Sequence, residues 1–331
     1  MRFGIFSVVD HHPRELARTV GEFYDQLLEH VQLADELGFE SFWVSEHHFH
    51  EYGAIPSPPV WMGAAAVCTR RIRLGSAVSV LPFHNPLVVA EQYAMVDVLS
   101  GGRLEFGVGS GYLKHEFSSF GVDFAEKYER FDEALEIIRM AWGGERFSYH
   151  GKFTTVKDVA LQVVPVQRPL PPILIAILRS EAARRVGERG YPVMTIPYAV
   201  SGGLRELAHM ASEYKAAYRQ AGHGDPSRPV ILCAVHTHVA GDSAGVDRFA
   251  KPAIDRYVRT RLYAISRPFE VLDEKKLIAC GEADKVISVI RSYEQAGFNV
   301  FLAIFDYGGM ERGEVMRSTE RFAREVLPAF R

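Results

Sequence analysis

The run Ser45-Glu46-His47-His48-Phe49-His50-Glu51-Tyr52-Gly53 gathers acid/base groups straight after the apolar segment Ser41-Phe42-Trp43-Val44. An imidazole titrates near neutrality, so a histidine facing a pocket serves as a proton acceptor or hydrogen-bond donor. Successive residues of an extended chain point to opposite faces. If the extended path continues, His47 and His48 therefore diverge, one toward the pocket and the other packing or orienting it. The competing reading is a structural histidine pair beneath a loop. Metal binding is less well supported, because no other His, Cys or carboxylate cluster has ligand spacing.

Three further segments have the composition of a ligand site. Gly75-Ser76-Ala77-Val78-Ser79 places small residues where a third strand should end. They would let a flat ring lie against backbone, or else fill a barrel layer that needs small side chains. Phe106-Gly107-Val108-Gly109-Ser110-Gly111-Tyr112 alternates glycine at another strand end, which permits close approach to a ligand. Tyr112 and Glu116 then fall in a loop over the pocket. Ile177-Leu178-Arg179-Ser180-Glu181-Ala182 runs from a strand into a helix, with Ser180 a candidate N-cap and Arg179 a bidentate donor. Free amides at such a start suit a phosphate, whereas simple capping with a solvated Arg179 is the plainer account. His84, between Phe83 and Asn85-Pro86, reads as turn chemistry. His236 and His238 share one face of a strand, and a polar layer is preferred there to a role at a barrel mouth.

These residues need a frame to bring them together. Strands are predicted at 3–7, 42–44, 74–80, 104–108, 173–177, 193–196, 230–239 and 300–305. Helices are predicted at 23–37, 60–69, 88–99, 128–142, 181–189, 204–220, 244–264 and 283–296, with a last helix running to Arg331. Gly38 stops the first of them. A small hairpin is expected around His150-Gly151, followed by an extended piece at 158–165. Alternation of this kind implies a parallel sheet, and about eight strand–helix units in 331 residues favour a closed (β/α)8 TIM barrel over an open sheet. No glycine fingerprint opens the first helix, which counts against a dinucleotide-binding domain. No linker or repeat divides the chain, so residues 1–331 are read as one domain. The irregular stretches 110–127, 146–170 and 262–282 are the places for lids.

Bulk properties narrow the classes. Hydrophobic residues make up 47% and charged residues 24%, an ordinary globular balance. A net charge of −3 gives no electrostatic reason to expect nucleic acid or an anionic membrane as partner. Cys68, Cys233 and Cys280 are scattered and odd in number, which suits free thiols in a reducing compartment. The polar residues Asp10-His11-His12 arrive too early for a signal peptide, and no apolar run approaches membrane-spanning length. The expectation is a soluble cytoplasmic protein.

Three motifs in fixed order carry a family resemblance: Glu46-His47-His48-Phe49 followed by Glu51, Tyr52 and Gly53; the pattern Gly-[Ser/Thr]-Ala-x-x-Val-Leu-Pro at Gly75–Pro82; and Val96-Asp97-Val98-Leu99-Ser100-Gly101-Gly102-Arg103. Together they resemble the bacterial luciferase-like flavin monooxygenase family, most specifically over residues 1–195. The resemblance implies a two-component FMN-dependent monooxygenase. Reduced FMN would come from a separate NAD(P)H:flavin reductase, and O2 would react through a C4a-peroxyflavin to oxygenate a small organic substrate. It implies that His47 is the catalytic base and Glu46 its acidic neighbour. It also implies that Ala77 and Val78 are joined by a non-prolyl cis peptide against the flavin ring. Gly109, Ser110, Gly111 and Tyr112 would lie along the cofactor, and Arg179, Ser180 and Ala182 in its phosphate segment. A homodimer is expected, paired through the helices at 60–69 and 88–99.

This chain also departs from luciferase. Luciferase has serine and threonine where Arg179 and Ala182 stand, its phosphate arginine aligns with Ser110, its reactive cysteine with Gly109, and its lid is shortened here around Arg267–Gly281. Light emission is therefore not implied. Two rival readings remain: hydride transfer with deazaflavin F420 on the same fold, and a flavin-binding protein without chemistry. A metal-dependent barrel hydrolase is more distant.

Overall fold

The structure is a computed structural model that describes residues 1–331 apart from 13, 52, 200, 201, 224–229 and 263–265. Its framework is a closed ring of parallel strands: β1 (Arg2–Ser7), β2 (Ser41–Val44), β3 (Arg73–Ser76), β4 (Leu104–Gly109), β5 (Ile173–Ala176), β6 (Val193–Thr195), β7 (Ile231–Val239) and β8 (Val300–Ile304). Each strand pairs with the next, and β8 pairs with β1 to close the barrel. Every residue of β2, β4, β7 and β8 is buried, because the barrel interior covers one face and the helical layer the other. This is the (β/α)8 TIM barrel that the alternating pattern predicts.

The surrounding helices follow from local signals. α1 (Val20–Leu37) opens with a Thr19/Glu22 capping box and stops at Gly38, whose φ of 82° is left-handed. α2 (Pro58–Cys68) and α3 (Pro86–Leu99) start on proline, and Asn85 caps α3 through the Leu87 amide. Then come α4 (Lys114–Phe120), α5 (Lys127–Trp142), α6 (Ala182–Glu188), α7 (Leu204–Gln220), α8 (Lys251–Thr260), α9 (Phe269–Glu274), α10 (Ala283–Gln295) and α11 (Arg312–Arg321). No helix among the described residues is long and apolar enough to cross a membrane. Cys68, Cys233 and Cys280 are free.

The structure corrects several predicted segments. The third strand does not run unbroken to Val80. It stops at Ser76, Ala77 and Val78 are joined by a cis peptide, and Ser79–Val80 resumes by pairing with β4. The hairpin is larger than expected, with Phe147–His150 antiparallel to Thr155–Val159, so the extended piece predicted at 158–165 only begins in its second arm. The stretch read as irregular at 110–127 holds α4, and that at 262–282 holds α9 and a strand, Ile278–Gly281, on the far end of β7. The helix predicted at 244–264 is a π-helical turn, Val246–Ala250, running into α8, and residue 264 lies outside the described residues. The last predicted helix is α11 followed by π and 3-10 turns that end at Phe330.

Candidate active site

The C-terminal ends of the strands open into a cavity of about 1080 Å³, at the upper end of small-molecule sites. Five strand ends deliver its wall. Ser45, Glu46 and His47 follow β2, Ala77 and Val78 follow β3, Gly109–Tyr112 end β4, Arg179 follows β5, and Thr195 ends β6. In this fold that rim is where chemistry is assembled.

The two adjacent histidines part company. His47 faces the cavity. Its Nδ1 lies 3.3 Å from Glu116 Oε1, and the Tyr112 hydroxyl lies 3.5 Å from its Nε2. Glu116 comes from the first turn of α4 and also accepts the His48 backbone N–H at 2.9 Å. The His48 ring turns away, and its Nε2–H donates to Glu46 Oε1 at 3.0 Å. His84 Nε2–H reaches the same oxygen at 2.7 Å, while Glu46 Oε2 accepts the Val80 amide at 3.1 Å. Burial pushes the Glu46 carboxyl up, but the His48 and His84 bonds outweigh it and hold the group below the usual carboxylate range. Burial lowers His84, and the Glu46 bond more than reverses that.

One expectation changes here, at His84. Glu46, the acid beside His47 in sequence, has its own partners. It binds His48 and His84, and Glu116, from a segment about 70 residues further on, holds His47. His84 is not simple turn chemistry, because it belongs to this network. Glu46, His48 and His84 also place their ligand atoms within 4.8 Å of one another, a grouping that sequence spacing did not reveal. Both ring nitrogens already donate to one carboxylate oxygen, so hydrogen bonding accounts for the cluster without an ion.

The small residues divide between two roles. At Gly75 a Cβ would sit 2.1 Å from the Trp43 ring, and at Gly107 it would sit 2.0 Å from the Ser76 carbonyl oxygen. Those glycines serve barrel packing. Ala77, Val78 and Gly109 line the cavity, and a Cβ on Gly109 would meet Val78 Cγ2 at 2.7 Å. They give this part of the wall small, apolar side chains.

Cations mark one end. Arg179 and Lys127 both line the cavity, and burial together with the charge of Arg179 lowers the Lys127 ammonium. Arg185 and Arg189 line it too, each bound to Asp132 at 2.5 Å. Ser180 is a correction. α6 begins at Ala182 with Glu181 in the cap position and no side-chain cap, while Ser180 Oγ donates to Glu206 Oε1 at 3.1 Å, away from the cavity wall. Ala182 does line the wall, as do Ser110 and Gly111. Tyr52 lies outside the described residues.

Sequence reasoning missed Lys127, Ser45 and Thr195 as wall residues. Ser45 and Thr195 are only 4% and 5% exposed, and neither hydroxyl has a hydrogen-bond partner among the described residues. Their strands stand opposite each other across the ring. His236 and His238 belong to the interior, as the polar-layer reading holds. His236 packs among Tyr198, Tyr257 and Tyr307, and burial pushes it down to about 3, while His238 bonds Glu314 at 3.0 Å.

The chain is similar to proteins of known kind over most or all of its length. A crystal structure of a monooxygenase from Streptomyces bottropensis matches with a TM-score of 0.92 at 30% identity, covering 100% of both chains. The oxygenase component of the flavin-dependent trigonelline monooxygenase of Acinetobacter baylyi is 27% identical over 355 residues, covering 100% of this chain and 96% of its own. An F420-dependent glucose-6-phosphate dehydrogenase of Amycolatopsis mediterranei is 33% identical over 336 residues, covering 92% of this chain and 94% of its own. The family model described as luciferase-like monooxygenase matches residues 1–300. With that match across the barrel, the chain belongs to the luciferase-like monooxygenase family.

Proposed function

We propose that this protein is the oxygenase of a two-component system: it takes reduced FMN from a separate NAD(P)H:flavin reductase and uses it with O2 to oxygenate a small organic substrate. One observation carries the reading. A single cavity is lined both by the small apolar residues Ala77, Val78 and Gly109 and by the neighbouring cations Arg179 and Lys127. A planar ring with a phosphate tail has the matching shape and charge. The similarity to a relative named as an oxygenase component supports the two-component arrangement.

Reduced flavin, when bound, supplies the electrons that activate dioxygen. The chain's own groups do the rest. Arg179 and Lys127 would hold the phosphate, and Ser110, Gly111, Tyr112 and Ala182 would line the site that takes the rest of the cofactor. His47 accepts or returns a proton at Nε2, the nitrogen turned toward Tyr112. A homodimer completes the proposal. Val60 and Val67 on α2, and Val88, Met95, Val98 and Leu99 on α3, form an exposed apolar face.

The test is an anaerobic titration with reduced FMN and, separately, with reduced F420, followed by mixing with oxygenated buffer. We expect reduced FMN to bind, with Arg179→Ala and Lys127→Ala each weakening it roughly tenfold, as loss of a charge-assisted contact would. We also expect the oxidised-flavin absorbance to return more slowly with the protein than without it, and this delay to be lost in His47→Ala. Binding of F420 without FMN would overturn the proposal in favour of hydride transfer, the reading that the F420-dependent relative favours.

A further inference from the structure

We propose that Glu116 is the positioning residue for His47, fixing its proton on Nδ1 and leaving Nε2 as the bare nitrogen that faces the cavity. The claim deepens the reading above, in which His47 moves the proton. Three facts on different elements converge. His47 Nδ1 lies 3.3 Å from Glu116 Oε1, and Glu116 is 2% exposed. A carboxylate only accepts, so the nitrogen beside it must carry the hydrogen. A neutral imidazole with a proton on Nδ1 has its lone pair on Nε2, and it is Nε2 that stands 3.5 Å from the Tyr112 hydroxyl on the cavity wall.

The other acidic candidate does not reach this ring. Glu46 is sequence-adjacent to His47, but both its oxygens are taken, Oε1 by His48 and His84 and Oε2 by the Val80 amide. Glu116 is itself anchored. The His48 backbone N–H donates to the same Oε1 at 2.9 Å, which sets the carboxylate beside His47 through the backbone of its neighbour. Adjacent residues 47 and 48 are thus both oriented by acids, from two different parts of the chain.

The experiment uses the full chain labelled with 15N-histidine, with the His47 resonances assigned by comparison with His47→Gln. At a pH where the ring is neutral, we expect the nitrogen shifts to place the hydrogen on Nδ1. In Glu116→Ala the ratio of the two tautomers should move at least tenfold toward Nε2–H, the change a lost charge-assisted bond would bring. Glu116→Ala also strips the His48 amide of its acceptor, so Glu116→Gln is the companion variant. It keeps an acceptor there, and should weaken the Nδ1–H bond and move its proton shift upfield. With reduced FMN and oxygen, Glu116→Gln should shorten the reoxidation delay at least tenfold while FMN affinity changes less than about twofold. An Nε2–H ring in the wild type, or a tautomer ratio unmoved in Glu116→Ala with Glu116→Gln also unshifted, would overturn the proposal. Failure of FMN to bind would sink the flavin reading and leave the tautomer result standing.

Discussion

His84 Nε2 lies 2.7 Å from Glu46 Oε1, joining the end of β2 to the turn that follows Ser79–Val80. The same carboxylate accepts the Val80 amide, so one side chain braces both the histidine segment and the Ala77–Val78 wall. We expect Glu46→Gln to destabilise the protein by about 2 kcal/mol, the scale of a hydrogen bond to a charged group. The pair's pH window follows from its two shifts. Glu46 is lowered in the fold, so its contribution is present above the unfolded carboxyl range and lost as pH falls through the lower folded value. His84 is raised, so its contribution is full below the unfolded histidine value and lost as pH rises through the raised one. Urea unfolding should show the largest gap between wild type and Glu46→Gln at roughly pH 5–6, shrinking on either side. A gap that kept growing up to pH 9 would contradict this.

Gly107 and Gly109 separate packing from binding along one strand. A Cβ on Gly107 would land 2.0 Å from the Ser76 carbonyl oxygen, and backbone there has nowhere to go. Gly107→Ala should lower the melting temperature sharply, an overpacking cost of about 3 kcal/mol or more. A Cβ on Gly109 meets a side-chain methyl of Val78 instead, which can rotate. Gly109→Ala should cost about 1 kcal/mol and weaken FMN binding by disturbing the wall. Calorimetry with fluorescence titration of both variants checks the pair, and equal stability losses would refute the distinction.

The barrel was legible because its strands and helices obey simple periods, and because Gly38 marks a boundary by local chemistry. The divergence of His47 and His48 was expected had the strand continued; they do diverge, although β2 ends at Val44. What failed was anything settled by distant contact. Glu46 stands beside His47 in sequence, yet its partners are His48 and His84, and the acid that reaches His47 is 69 residues away. Ser180 looks like a cap, but the helix starts later and Glu206, on α7, takes its hydroxyl. Ser45 and Thr195 carry no motif at all, and only the folded ring reveals that they stand at the cavity wall with buried hydroxyls that have no hydrogen-bond partner among the described residues.

The apolar face on α2 and α3 yields a direct test of the homodimer. Val60 and Val67 are spaced seven apart, two helical turns, and both are 72% exposed. Met95 on the neighbouring helix is 52% exposed. We expect sedimentation to give a dimer for the wild type at micromolar concentration and a monomer for Val67→Lys/Met95→Lys. Because these side chains touch little within the subunit, the monomeric variant should keep its fold by circular dichroism. A monomeric wild type would remove the dimer from the proposal.

Asp306 follows β8 and is buried, and burial pushes its carboxyl up to about 6. The positive charge of Arg18 opposes that rise, and the negative charge of Asp10 adds to it. A carboxyl raised in the fold favours its neutral form. The native state is therefore at its strongest below the unfolded carboxyl value and loses stability as pH rises through about 6. An amide of the same shape never ionises, so Asp306→Asn should match the wild type at pH 4 and exceed it at pH 8. The gain is bounded at about 3 kcal/mol by the size of the shift. Asp306 makes no part of the cavity wall, so the gain should come without a change in FMN affinity. Thermal melts of the two proteins from pH 4 to pH 9 decide the matter. If Asp306→Asn were less stable at pH 8, the ionised carboxylate would be helping the fold through Arg18, and the balance of charges around it would have the opposite sign.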